Sequence, residues 1–278
     1  MNEDENMNNT LNHQIAYEPM LGAVLSLFDG MSCGQIALNK AGITYGKYYA
    51  SEIKPHAIKV TQSNYPNTIQ LGDVREIKAE KLPKIDLLIG GSPCQDLSKS
   101  HNANGLNGSQ SILYYEFLRL KNELNPRYWL LENVDSFKTN PIDLDLGKHY
   151  KINSDRFLPQ NRIRRYWTNI PIKDLPDRPN WNFEYGQQIR RDVNGIRPMK
   201  NGTAPTLLKA MGAGGGNMPC IKENGEWRRL NINEIEILQG VPINYTDGVS
   251  LSQRKMMLGN GWTVDVIAHI FRSLLNGA

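Results

Sequence analysis

AVLSLFDGMSCGQIALNKAG, residues 23–42, passes from an apolar run (23–28) through a turn of polar residues and glycine into a helical stretch (31–42) that stops at Gly42. The same strand-to-helix step recurs downstream. KYYASEI (47–53) reads as a second strand followed by a helix over 54–65, TIQLGD (68–73) as a short third strand, and KIDLLIGG (84–91) as a fourth. SILYYEFLRLKNEL (111–124) carries an apolar face at helical spacing and leads into the strand RYWLLENV (127–134). Alternation of this kind predicts an α/β fold, a Rossmann-like, doubly wound and mostly parallel sheet with helices on both faces. Past RIRRYWTNI (162–170) the pattern breaks. Residues 171–227 are rich in Pro, Gly, Asn and Arg, with the cluster MGAGGGN at 211–217, and read as a small loop-rich second domain or a long insertion. Order returns with a helix at 231–242, Asn231 its N-cap and Gly240 its stop, and a final amphipathic helix over 264–275.

The totals narrow the class. At 278 residues the chain holds one large domain, or one medium and one small. No run approaches the roughly 18 apolar residues of a membrane span. MNEDENMNNTLNHQ is acidic and Asn-rich without an apolar core, so no signal peptide is visible; residues 1–20 read as a disordered lead, and a cytoplasmic location is expected. Cys33, Cys94 and Cys220 form an odd set without CxxC spacing, which argues against disulfides or a zinc site and for a reducing compartment, with no metal expected. The net charge of +4 permits nucleic-acid binding without requiring it.

In a doubly wound sheet, ligands bind beyond the carboxyl ends of the strands. The first predicted strand runs into Phe28-Asp29-Gly30, with Gly34 four residues on. The second ends at Glu52, where a carboxylate can hold two ribose hydroxyls, and the third at Asp73-Val74, where one can accept from an adenine amino group. The turn reads DGxxxG rather than GxGxxG, and no GxxxxGK[ST] cradle occurs, so a dinucleotide is disfavoured. Ribose and adenine without phosphates point to S-adenosylmethionine. Taken singly, each glycine could serve packing alone and Glu52 could be a solvated carboxylate.

The fourth strand ends in Ser92-Pro93-Cys94, a thiol among polar loop residues. Beside a methyl donor it suggests covalent catalysis. C5 of cytosine is a poor nucleophile until a thiolate adds to C6. That addition needs a proton or hydrogen bond at N3, which Glu132 could give, and a guanidinium for the developing charge. Arg162 and Arg164 stand at alternate positions of one predicted strand and so face one way. The plain alternatives are a loop thiol, an ion-paired carboxylate and surface arginines.

FDGMSCG, ASE, GDV, GGSPCQDLS, ENV, QNRIRRYW, LNINEIEILQGVP and LGNGW stand in an order and spacing that resembles the DNA cytosine-5 methyltransferases, over about residues 21–170 and 228–275. VLSLFDG, SPCQDLS, ENV and YTD look like the catalytic domains of animal de novo enzymes. The short length and TAPTLLKAMGAGGGN look like bacterial or phage modification enzymes. The resemblance implies a class I S-adenosylmethionine-binding catalytic domain (21–170 and 228–278) and a target-recognition domain (171–227). It implies Cys94 as nucleophile, Glu132 as proton donor to N3, and Arg164 with Arg162 holding a flipped cytosine. For the cofactor it implies Phe28 stacking on adenine, Gly30 near the methionine part, Glu52 on the ribose, Ile53 and Val74 on the adenine faces and Asp73 on its amino group. Asp29, Met31, Cys33, Gly91, Pro93, Leu113, Asn260, Gly261 and Trp262 complete that pocket. The loop 97–111 would close over double-stranded DNA, with Ser98 and Lys99 in contact, and base flipping follows because a stacked base is out of reach. Arg190, Arg191, Lys209, Gly214 and Gly215 are the expected DNA contacts of the insert, reading a site of about four or five base pairs. A monomer on DNA is expected, with an oligomer left open. Rival readings are a transfer-RNA cytosine-5 methyltransferase on the same scaffold, and a catalytically silent DNA-binding regulator; a nicotinamide enzyme is disfavoured by the turn.

Overall fold

The computed structural model describes residues 20–93, 112–136, 139–188, 195–212 and 216–276. The lead read at 1–20 lies outside these but for Met20, as do Cys94, Ser98, Lys99 and the rest of the loop 97–111, and Arg190, Arg191, Gly214 and Gly215.

A seven-stranded sheet carries the molecule, in the order β3-β2-β1-β4-β5-β7-β6. Strands β1 (Leu21–Leu27), β2 (Tyr45–Ser51), β3 (Ile69–Gln70), β4 (Leu87–Gly91) and β5 (Tyr128–Val134) run parallel. Strands β6 (Tyr150–Asn153) and β7 (Ile163–Thr168) close one edge as an antiparallel pair, β7 lying antiparallel to β5. Strand order reverses at β1, the switch point at which such sheets open a crevice.

Helices cover both faces, as the alternation required. Helix α1 (Cys33–Ala41) ends where Gly42 takes φ 77° and its N–H returns to Asn39 and Leu38 carbonyls, a conformation with no Cβ penalty for glycine. Helix α2 (Pro55–Asn64) opens on proline, whose missing N–H costs nothing in the first turn. Apolar residues of α1 and α2 share one core with Val24, Leu87 and Ile89 of the sheet. Tyr114, Phe117 and Leu120 of α3 (Ile112–Leu124) share the opposite core with Leu25, Leu27, Leu88 and Leu131.

Several elements differ from the sequence reading. The third strand is two residues long, so Asp73 lies beyond it and caps a 3₁₀ turn at Val74–Glu76 through the Arg75 N–H. A short helix α4 (Ile142–Leu146) and β6 lie in a stretch without clear periodicity. The segment read as loop-rich contains a second, four-stranded sheet in the order β11-β10-β8-β9. Its strands are β8 (Tyr185–Gln188), β9 (Ile196–Pro198), β10 (Met218–Glu223) and β11 (Glu226–Arg229). The missed signal was Asn224-Gly225, both at positive φ (51° and 85°), which closes the β10–β11 hairpin. The last strand ends at Arg229, two residues past the boundary read at 227.

The C-terminal segment returns to the first sheet as α5 (Ile232–Gln239), α6 (Leu251–Asn260) and α7 (Val264–Phe271), the last continuing as a 3₁₀ turn to Asn276. Asn231 and Glu234 form a reciprocal capping box on α5. Helix α6 was not read because LSQRKMMLGN carries few apolar residues. No helix among the described residues is long and apolar enough to cross a membrane.

Between α5 and α6 the chain wraps a fully buried carboxylate. Glu236 accepts the N–H groups of Asn244 (2.7 Å) and Thr246 (2.9 Å) and pairs with Arg254 (3.1 Å). Truncating it leaves two amides without their acceptor and takes from Arg254 its buried carboxylate, leaving it the half-exposed Asp247. Glu236→Ala is expected to cost about 3–5 kcal/mol, seen as a lowered urea midpoint with the slope unchanged; a loss under about 1 kcal/mol would refute this account of the clamp.

Candidate active site

Glu132 sits two residues before the end of β5, directly across from Gly91 on β4 and Tyr166 on β7. Because β7 runs antiparallel, its beginning lies at the edge where the parallel strands end. Arg164, its second residue, is thereby brought to Glu132, Nε 3.1 Å from Oε1. The other carboxylate oxygen, Oε2, accepts from Trp262 Nε1 at 3.1 Å. Burial pushes the Glu132 carboxyl above its ordinary range, against the lowering pull of Arg164, Arg162 and the indole N–H. The result is an oriented carboxyl biased toward keeping a proton.

Gly91 makes room for this arrangement. A Cβ there would lie 2.6 Å from the Trp262 Nε1 and 3.2 Å from Glu132 Oε2. The next residue, Ser92, is held by Asn133, whose Nδ2 donates to its Oγ at 2.9 Å. Asn133 Oδ1 in turn accepts the N–H of Val134. The chain therefore leaves β4 at Ser92-Pro93 from a fixed point beside Glu132, one residue before Cys94. Asn133 was passed over in the sequence, although it stands within ENV.

Arg162 has main-chain partners that Arg164 lacks. It precedes β7 rather than standing in it, is 3% exposed, and donates to the carbonyls of Leu207 (2.8 Å), Gly259 (3.2 Å) and Gly261 (2.8 Å). The two arginines thus part company: Arg164 meets the carboxylate, and Arg162 ties down main chain. Gln160 and Gln239 extend that web, Gln160 donating to Leu238 O and Gln239 Oε1, and Gln239 donating to Leu258 O and Gly261 O.

At the β1 end the turn 28–34 takes three positive φ angles, Phe28 at 57°, Gly30 at 61° and Ser32 at 64°. Two of these carry side chains, so the turn needs anchors. Glu52 Oε2 accepts the Gly30 N–H (2.9 Å), and Oε1 accepts those of Ile53 (2.8 Å) and Lys54 (2.9 Å) at the start of α2. Tyr48 donates to Asp29 Oδ1 (2.9 Å), and burial raises the Asp29 carboxyl to about 6. Its Oδ2 is buried without a hydrogen-bond partner among the described residues. Tyr245, from YTD, donates to the Met31 carbonyl at 2.7 Å, and Asn64 holds the Tyr245 carbonyl. Nothing local to Tyr245 announced that role, since Met31 lies 214 residues away.

The remaining expected residues fall around this turn. Met31 and Cys33 border Gly261, 3.1 and 3.3 Å from where its Cβ would be. Burial pushes the Cys33 thiol up to about 12, which makes it a packing residue and no nucleophile. Asp73 is occupied by Arg75, whose guanidinium and N–H hold its carboxyl down to about 2. Val74 is buried while Ile53 is 64% exposed, an apolar side chain left in water at the mouth. Leu113 and Pro93 are half-buried, and Asn260 is exposed at the end of α6. Lys209 is exposed on the segment that packs on Gly259, where a Cβ would lie 2.2 Å from the Leu208 carbonyl carbon.

Comparison with known proteins agrees with this architecture. A family model described as C-5 cytosine-specific DNA methylase matches residues 22–149. The orphan methyltransferase M.Rho11sI of Bacillus phage rho11s is 32% identical over 190 residues, covering 61% of this chain and 36% of that protein. The type II methyltransferase M.Bsp6I of Bacillus sp. (strain RFL6) is 28% identical over 310 residues, covering 90% of this chain and 98% of that protein. The chain spans only 36% and 42% of the length of the first curated relatives it matches. In fold it matches the Entamoeba histolytica methyltransferase EhMeth with TM-score 0.70 and 18% identity, over 92% of this chain and 98% of that one. Residues 22–149, which take in β2 to β5, Glu132 and the turn 28–34, are thus similar to the C-5 cytosine-specific DNA methylase family.

Proposed function

We propose that the chain is an S-adenosylmethionine-dependent DNA methyltransferase acting on C5 of cytosine. The observation that carries the reading is the buried Glu132 carboxyl, held from both sides by Arg164 and Trp262 next to the strand end that leads to Cys94. Residues 21–170 and 228–278 would be the catalytic domain, and 171–227, with most of the second sheet, the target-recognition domain.

The turn 28–34 suits the cofactor chemically. The unpartnered Asp29 Oδ2 is an acceptor awaiting a donor, as an ammonium would be. Glu52 is pinned by three backbone N–H groups, so its remaining lone pairs are pre-oriented for hydroxyls. The exposed Ile53 would be covered by an aromatic ring. Bound there, S-adenosylmethionine supplies an electrophilic methyl on a sulfonium.

The protein's own groups would act on a cytosine extruded from the duplex. The Cys94 thiolate adds to C6, and the displaced electron pair moves toward N3, where the Glu132 carboxyl donates its proton. C5 becomes nucleophilic and would form the bond to the methyl carbon as that carbon's bond to the sulfonium sulfur breaks, the electron pair staying on sulfur as a neutral thioether. N3 returns its proton to Glu132. Loss of the C5 proton to a base and expulsion of the thiolate then restore the ring. Arg164 keeps Glu132 aimed and balances charge as the proton leaves it.

Three measurements test this. Mixed-sequence duplex DNA incubated with protein and S-adenosylmethionine, then sequenced after bisulfite conversion, is expected to show protected cytosines in one short context; methylation of transfer RNA alone would replace the DNA reading. Cys94→Ser is expected to cut kcat by more than about a thousandfold while calorimetry finds cofactor affinity kept; full turnover would end the covalent mechanism. Trp262→Phe removes a hydrogen bond that favours ionised Glu132, so its already raised pKa rises further. Activity lost with rising pH as Glu132 gives up its proton should then persist roughly one pH unit higher in kcat/KM. An unmoved alkaline limb would remove Glu132 as the titrating acid.

A further inference from the structure

We propose that Lys255 and Arg229 form a phosphate-binding pair for the DNA backbone, in the seam between α6 and the second sheet; the assignment rests on the reading of the chain as a DNA methyltransferase. On β10, Met218 and Cys220 point to one face, and Gln188 and Arg229 stand directly across from them on β8 and β11. That face therefore presents Gln188, Met218, Cys220 and Arg229 together. Arg229 Nε donates to Gln188 Oε1 at 2.8 Å, which fixes the guanidinium over the sheet. Lys255 reaches the same face from α6, its Nζ 3.9 Å from the Met218 sulfur.

The seam is rich in donors and poor in acceptors. Among the described residues neither Lys255 nor Arg229 has a carboxylate within ion-pair distance. Their sequence neighbours differ: Arg228 pairs with Glu223 and Glu234, and Arg254 with Glu236 and Asp247. Gln188, 1% exposed, also has an Nε2 without an acceptor among the described residues. Burial and the Arg229 charge together hold the Lys255 ammonium below its usual pKa. The exposed Arg229 and the partly buried Lys255 repel, and an anion between them removes the repulsion.

The surroundings favour a backbone phosphate as that anion. Gly212 lies beside Lys255, Nζ 3.7 Å from where a Cβ would be, and its N–H donates to Gly216 O, so no side chain of residue 212 stands between Lys255 and a ligand. Lysine supplies a point charge and arginine a planar fork, a pairing suited to a phosphodiester. Lys255 also stands seven residues before Trp262, on the helix whose end places that indole on Glu132. A phosphate held here would brace the duplex against the element that shapes the active site.

The test is the salt dependence of binding of the full chain to a fluorescent mixed-sequence duplex. Lys255→Gln and Arg229→Gln are each expected to flatten the slope of log affinity against log salt, and the double variant, which loses the one shared phosphate, by about one. Lys255→Arg should keep the wild-type slope, and unchanged thermal midpoints would exclude misfolding as the cause. Equal slopes for wild type and double variant, with wild type binding the duplex, overturn the phosphate pair alone. A wild type that binds no duplex overturns both the pair and the reading beneath it.

Discussion

A guanidinium taken out of water needs acceptors, and Arg162 finds them for both terminal nitrogens in main-chain carbonyls. Its bonds to Leu207, Gly259 and Gly261 lock together the entry to β7, the segment that follows the Gln160–Ala204 bridge, and the end of α6. Gln239 also donates to Gly261 O, so the residue before Trp262 is held from two sides. Trp262 can then sit against Glu132 with little freedom to turn away. Breaking one member of such a web leaves charges and amides unpaired in a low-dielectric interior, which is why it behaves as a unit.

The site built on that web balances opposing forces. Burial alone would neutralise Glu132, and full pairing with two arginines would keep it ionised. Here one arginine bonds the carboxylate directly, while the other is engaged elsewhere and acts only through its field. The carboxyl is left raised but not inert, the condition general acid catalysis needs. The opposite end of the crevice shows a similar division. Two residues with side chains at positive φ, Phe28 and Ser32, store strain in the turn 28–34, and Glu52, Tyr245 and the Asp29 N–H to Ser51 O contact hold it in place.

The C-terminal segment serves both ends at once. Glu236 fixes the Asn244–Thr246 stretch, Tyr245 from that stretch supports Met31, and α6 delivers Trp262 to Glu132. Residues more than two hundred positions apart in the chain are therefore neighbours around one crevice, and neither end of it is complete without the return of the chain from the second sheet.

Much of the fold was legible in the sequence because its signals are local. Buried parallel strands read as apolar runs, Gly42 and Gly240 end helices through left-handed φ angles, and Asn231 caps α5 within four residues of its partner. The contact of Glu132 with Arg164 could be anticipated too, since both stand in short motifs at strand ends. Helix α6 was not, having few apolar residues and those mostly in its last turns, and the Asn224-Gly225 hairpin went unread although its turn chemistry is explicit. What the sequence by itself determined was the alternating layers and the place of Glu132 and Arg164 at the open edge of the sheet. Tertiary structure alone decided which arginine meets Glu132, that Tyr245 props the turn at Met31, and that Arg162 binds carbonyls. Those roles depend on distance in space, which arises only when burial leaves each buried polar group needing whatever partner the packed chain brings near.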